Sequence, residues 1–155
     1  MASPKFESIL DTPVANVERP KPMPAGTYDC IVRGLYEEGV SSQKKTPFVK
    51  FTYAFQAALD DVDEDELKEL LTNKDGEMTP LTDRTIKDTY YTTPDALFRL
   101  TDVLTNMGIE DLENKTIRQA LSETPNSSIR VVIGHRASED GESIFAEVKR
   151  TMKPE

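Results

Sequence analysis

The sequence predicts a mainly β protein of the α+β class. It would form a five-stranded antiparallel barrel or curved sheet, with one principal helix and an acidic helical insertion. Alternating apolar residues separated by turn signals mark the strands. Only one long segment has apolar residues at spacings of three and four, as a packed helix requires. Acidic residues are concentrated in 57–83, between two predicted strands. A length of 155 residues suits one domain with a real core.

The domain boundaries are predicted from the proline content and from the alternation of apolar and polar residues. Residues 1–24 contain five prolines, which fix φ and remove hydrogen-bond donors. We therefore expect an extended arm there, a single domain over 25–150 and a tail over 151–155.

The strands are predicted in chain order from turn signals and period-two patterns. Pro24-Ala25-Gly26 leads into the first strand, and the strand 48–55 has the clearest pattern, with Val49, Phe51, Tyr53 and Phe55 on one face. The closing hairpin turns at Asp140-Gly141. The five predicted strands cover 27–33, 48–55, 85–91, 128–135 and 143–150.

The principal helix has start and stop signals. Thr93 is the predicted cap, Pro94 the first helical residue, and Gly108 follows the end. Its apolar face comprises Leu97, Leu100, Val103, Leu104 and Met107. A short helix capped by Asp60 or Asp61 is expected within the insertion at 57–83, and another around 117–121.

The residue content gives no sign of catalysis, a cofactor or a metal site. Cys30 and His135 are the only residues of their types, too few for a Cys/His zinc cage. The sequence contains neither of the common glycine-rich phosphate-binding motifs, Gly-x-x-x-x-Gly-Lys-Ser/Thr and Gly-x-Gly-x-x-Gly. The acidic run that begins at Asp61 lacks the glycine that an EF-hand calcium loop has at its sixth position. We therefore expect a non-enzymatic protein in which Cys30 is a core residue.

The net charge of −9 is unevenly distributed. The segment 57–83 has ten acids and two lysines, so the rest of the chain is nearly neutral. No apolar run approaches the roughly 20 residues that cross a bilayer, and the first residues do not resemble a signal peptide. The expected location is the cytoplasm, with no membrane partner.

When the alternating apolar residues of each strand are assigned to the core, cations and aromatic rings share the opposite, outward side of the strands. Rings that stack with bases, beside cations that contact phosphates, are typical of proteins that bind single-stranded nucleic acid. The predicted binding residues on the strands are Arg33, Phe48, Lys50, Lys87, Tyr91, Arg130, Phe145 and Lys149; those in connections are Lys44, Lys45 and Arg136.

Several short motifs resemble those of small phage-encoded proteins that bind single-stranded DNA and adopt an OB-like fold. They are Pro24-Ala25-Gly26-Thr27-Tyr28, Lys44-Lys45-Thr46-Pro47-Phe48-Val49-Lys50-Phe51, Pro94-Asp95-Ala96-Leu97-Phe98-Arg99-Leu100 and Met107-Gly108-Ile109. The resemblance spans roughly residues 24–150. It implies an OB-like fold and single-stranded DNA binding in phage replication or recombination, within the bacterial host cell.

Two other functions are also compatible with the sequence. Net acidity and a proline-rich arm also suit a virion decoration or connector protein. Alternatively, the protein is an acidic interaction module that acts on a host protein. The acids of 60–69 are candidate contacts for replication or recombination proteins, and homo-oligomer formation is a further possibility.

Overall fold

A computed structural model describes residues 21–139, 141 and 143–154. The strands are β1 (Gly26–Val32), β2 (Glu37–Val40), β3 (Pro47–Ala58), β4 (Thr85–Tyr91), β5 (Ser128–Ala137) and β6 (Ile144–Met152). The helices are α1 (Glu64–Leu71), α2 (Leu97–Asn106) and α3 (Ile117–Ser122), and two single 3-10 turns cover Leu81–Asp83 and Leu112–Asn114. The α+β, mainly β prediction is confirmed at this level.

All six strands belong to one antiparallel sheet in which β3 has three partners. One edge of β3 pairs with β2 and β1, and the other with β4. β5 returns to the free side of β1 and continues into the hairpin with β6. The order β5-β1-β3-β4 is that of a Greek key.

The sheet is curved but is not closed into a barrel. Within the described residues, no ladder joins β4 to β6, although both strands line a common groove of about 620 Å³. α2 lies at this gap, where the side-chain amide of Asn106 donates to the hydroxyl of Thr151 at 2.9 Å. Helix and groove therefore occupy the place of the missing ladder.

The core lies on the inner face of the sheet, as the alternation predicts. Val49, Phe51, Tyr53 and Phe55 of β3 are all buried. They pack with β5 and with the apolar face of α2, whose buried members are Leu100, Val103, Leu104 and the following Met107. Because each buried aliphatic or aromatic side chain contributes roughly 1.5–3 kcal/mol, β3 is a main source of stability.

Cys30 is part of this core, as predicted. It is 2% exposed, and burial raises the pKa of its thiol to about 12. A thiol that stays protonated at neutral pH is a poor nucleophile.

The acidic segment is fastened to the start of β1. Asp61, one of the two predicted caps of the insertion helix, instead accepts hydrogen bonds from the backbone N–H and the hydroxyl of Thr27, at 2.8 and 2.7 Å. The cap of α1 is Asp63, which accepts from the N–H groups of Asp65 and Glu66. The predicted caps were therefore wrong by two or three residues, because Asp61 holds the segment against Thr27.

The start of the principal helix was also predicted too early. Thr93 and Pro94 belong to a turn closed by the N–H of Ala96 and the carbonyl of Thr93. α2 begins at Leu97 with no side-chain cap. By contrast, the short helix predicted around 117–121 is present as α3, with a full capping box between Thr116 and Gln119.

The structure has six strands where the sequence predicted five. The additional strand, β2, runs along β3 with Glu37 opposite Lys50 and Val40 opposite Pro47. Most of the predicted arm, residues 1–20, lies outside the described residues. Residues 21–24 lie against the domain: Met23 and Pro24 are buried, and His135 donates to the Met23 carbonyl at 2.8 Å.

No helix in the described part of the chain is both long and apolar enough to cross a bilayer.

A half-buried carboxyl group lies at the gap between β4 and β6. Asp88 is on the inner side of β4, where burial raises its pKa and the charge of Glu147 adds to this shift. Hydrogen bonds from Tyr90 and the Thr89 backbone partly oppose it, and the net result is a pKa of about 6. Asp88 therefore binds its proton more tightly in the folded state than in the unfolded state.

Replacing Asp88 with Asn should stabilise the protein at pH 8 by about 2–3 kcal/mol, since the pKa of Asp88 is raised by about two units and each unit corresponds to about 1.4 kcal/mol. A raised pKa stabilises the fold below pH 4, and that contribution is lost as pH rises through about 6. Urea denaturation of wild type and D88N at pH 4.5 and 8 measures the effect. An equal difference between the two proteins at both pH values would contradict it.

Candidate nucleic-acid interface

The outer side of β3 and β4 carries a compact group of rings and cations. Phe48 is opposite Tyr91 in the ladder, and Lys50 is opposite Thr89. Lys87, opposite Thr52, completes the group. We call this surface, Phe48, Lys50, Thr52, Lys87, Thr89 and Tyr91, the outer β3–β4 face.

The two rings of this face touch, and one has a cation above it. Phe48 and Tyr91 meet edge to face with ring centroids 6.5 Å apart. The ammonium of Lys50 is 5.4 Å from the Phe48 centroid, within the range of a cation–π contact. Tyr91 is 46% exposed and Phe48 is half-buried. The ring that offers the larger free surface is therefore Tyr91.

Phe48 keeps its position because β2 presents a glycine beneath it. Gly39 is opposite Phe48 in the β2–β3 ladder. A Cβ at position 39 would lie 2.6 Å from the tip of the Phe48 ring. Any larger side chain at 39 would therefore displace the ring from the face.

A basic connection borders the face at the start of β3. The turn of residues 41–46 is closed by hydrogen bonds from Lys45 N–H to the Ser41 carbonyl and from Ser41 N–H to the Thr46 carbonyl. Lys44 and Lys45 are both exposed. With Tyr91, this turn lines a groove of about 500 Å³.

The cations of the face differ in how far they are neutralised. Lys87 forms an ion pair with Glu37 of β2, with its Nζ 3.2 Å from Oε1. Within the described residues, Lys44, Lys45 and Lys50 form no ion pair with a carboxylate. The face and its turn therefore offer three lysines that have no carboxylate partner among the described residues.

A second group of predicted residues lies on the hairpin β5–β6, which does not pair with β3 or β4 within the described residues. The outer sides of β3 and β5 are separated by β1, whose Asp29 pairs with Arg130 at 2.8 Å. On β6, Glu147 accepts a 2.6 Å hydrogen bond from Lys149 and lies 3.5 Å from Arg136. Lys149, and more weakly Arg136, lower the pKa of Glu147. Each of these three predicted cations thus has an acidic partner.

The remaining predicted residues lie beside these two groups. Phe145, opposite Arg136, is 49% exposed. Arg33 follows β1 and donates to the carbonyl of Thr82 at 3.0 Å, so its guanidinium lies near the start of β4. Lys149 also reaches the groove at the gap between β4 and β6, which Tyr91 lines from the other side.

Sequence reasoning missed four residues that shape this region. Glu37 and Gly39 were missed because β2 was not predicted. Arg99 of α2 and Arg150 of β6 line the same groove as Tyr91. No sequence pattern links Arg99 with Arg150, because they are far apart in the chain and only the fold brings them into one groove.

The described residues contain no group of three or more His, Cys, Asp or Glu side chains arranged to hold a metal ion.

A scan against protein-family models and a search of curated proteins find nothing that matches this chain.

Replacing Gly39 with Ala should break the contact between Phe48 and Tyr91, because the new methyl group would occupy the space of the Phe48 ring tip. Loss of nuclear Overhauser contacts between the two rings measures this. In a Phe48→Ala background the same change should be tolerated, so the double-variant cycle should give a coupling energy of about 1 kcal/mol. Unchanged ring contacts in G39A would show that β2 does not position Phe48.

Proposed function

We propose that this protein binds single-stranded DNA on the outer β3–β4 face. The observation that carries the proposal is the contact of Phe48 with Tyr91 on an open sheet surface, beside lysines that pair with no carboxylate of the described chain. Bases stack on exposed rings irrespective of sequence, while lysines follow the phosphates.

The order of the strands supports an OB-like reading of the fold. OB folds are partly open Greek-key barrels of five strands. When β1 and β2 are taken as two halves of one bent strand, they form a three-strand meander with β3 and β4. α2 follows the meander, and the hairpin β5–β6 then returns so that β5 lies beside β1. OB folds bind oligonucleotides on the face of their second and third strands and on the loop before the second. Here those parts are β3, β4 and the turn 41–46.

The proposed path of the strand begins at the turn 41–46, crosses Phe48 and Tyr91, and continues beside Lys50. Each stacked base contributes roughly 1–3 kcal/mol, so two rings and three lysines suffice for micromolar binding. A role in phage replication or recombination, as the sequence resemblance implies, belongs to the same proposal.

Fluorescence anisotropy with a labelled oligo-dT at 50 and 200 mM salt tests the proposal. Wild type should bind, and its affinity should fall with salt because phosphate contacts release counterions. Tyr91→Ala should weaken binding about fivefold or more through loss of a stacked base. Lys50→Ala should also reduce the slope of log affinity against log salt by about 0.7.

Matched controls come from the same chain. Phe98 is 60% exposed on α2, and Lys74 is exposed in the acidic segment, so F98A and K74A remove the same groups elsewhere. Both should bind as wild type does. Failure of wild type to bind, or equal losses in Y91A and F98A, would overturn the proposal.

A further inference from the structure

One carboxylate lies among the cations of the proposed binding face. Glu37 of β2 is opposite Lys50, which is in turn opposite Thr89 of β4. The Glu37 carboxylate reaches Lys87, with Oε1 at 3.2 Å from Nζ. Glu37, Lys50 and Lys87 therefore lie next to one another across three strands.

Strand alternation accounts for the position of this carboxylate. Gly39 lies beneath Phe48 on the outer side, and Glu37, two residues earlier, lies on the same side. Glu38 points the other way, and its carboxylate pairs with Arg118 at 3.0 Å. Of the two adjacent glutamates, only Glu37 thus faces the proposed path of the strand.

The acidic segment is held too far away to play the same part. Glu69 of α1 pairs with Lys21, and the Leu70 carbonyl accepts from Arg84 at 3.2 Å. Arg84 adjoins Phe55, at the far end of β3 from Phe48. Three residues of extended strand, about 10 Å, separate Phe55 from Thr52, which is opposite Lys87, and seven residues, about 23 Å, separate it from Phe48. This placement separates the acids of α1 from the face, whereas Glu37 lies beside the lysines of the face.

We propose that Glu37 acts as a built-in competitor of the DNA backbone, holding Lys87 in an ion pair that a phosphate must break. This inference rests on the proposed function. While the Lys87 ammonium is paired with the Glu37 carboxylate, it is not fully available to a phosphate. Glu37 therefore lowers the affinity for DNA at this one position.

Glu37→Gln keeps the shape of the side chain and removes its charge. Lys87 then becomes available to one more phosphate. The affinity for oligo-dT should rise about threefold to fivefold at 50 mM salt, the range expected of an exposed ion pair. The slope of log affinity against log salt should steepen by about 0.7, because one further counterion contact is made.

Two controls separate this local effect from net charge and from misfolding. Glu113 is an exposed glutamate of the 3-10 turn that follows α2, so E113Q makes the same change of net charge away from the face. Circular dichroism and thermal unfolding should be unchanged in both variants, since the Glu37–Lys87 pair is exposed.

The outcomes distinguish the inference from the function on which it rests. Tighter binding and a steeper salt slope in E37Q, with E113Q like wild type, would support it. Wild-type binding with no gain in E37Q, or an equal gain in E113Q, would overturn it and leave the proposed function standing. No binding by any of the three proteins would overturn the proposed function itself.

The double variant E37Q/K87Q tests the route through Lys87. If Glu37 acts by holding this lysine, the gain from Glu37→Gln should fall to less than half in the Lys87→Gln background. A full gain there would show that Glu37 repels the strand directly, and would overturn the ion-pair mechanism.

Discussion

Both the core and the proposed binding face depend on the register of β3. This strand pairs along both edges, and its odd-numbered residues from Val49 to Phe55 fill the core. Its even-numbered residues from Phe48 to Thr52 form the outer face. A slip of one residue would expose four large apolar side chains and bury Lys50, which makes any other register far less stable.

The same register explains why the predicted binding residues form two groups rather than one. Alternation alone indicates which residues point outward, but not which strands are neighbours. β1 separates β3 from β5, so Arg130 meets Asp29 instead of the rings of the outer β3–β4 face. The predicted cations of the hairpin, Arg130, Arg136 and Lys149, pair with Asp29 and Glu147. Lys50 instead forms a cation–π contact with Phe48 and no ion pair with a carboxylate of the described residues.

The parts of the fold that the sequence predicts well are those determined by local pattern. β3, β4 and the hairpin follow from period-two alternation, and the apolar face of α2 from spacings of three and four. β2 could not be predicted, because Glu-Glu-Gly-Val has no alternation and is a strand only through its pairing with β3. The ion pair of Glu37 with Lys87 joins residues fifty positions apart, so only the assembled ladders bring it together.

Net charge is a poor guide to the proposed binding face, because electrostatic interactions are short-ranged in salt. At physiological ionic strength, interactions between exposed charges are largely screened beyond about 8 Å. The acids of α1 lie near the Phe55 end of β3, about 10 Å of extended strand from Thr52 and about 23 Å from Phe48. Glu37, in contrast, is 3.2 Å from a lysine of the face itself. A single carboxylate there would therefore affect a phosphate at the proposed face more than the acids of α1 would. A chain with a net charge of −9 can thus still present a surface suited to a polyanion.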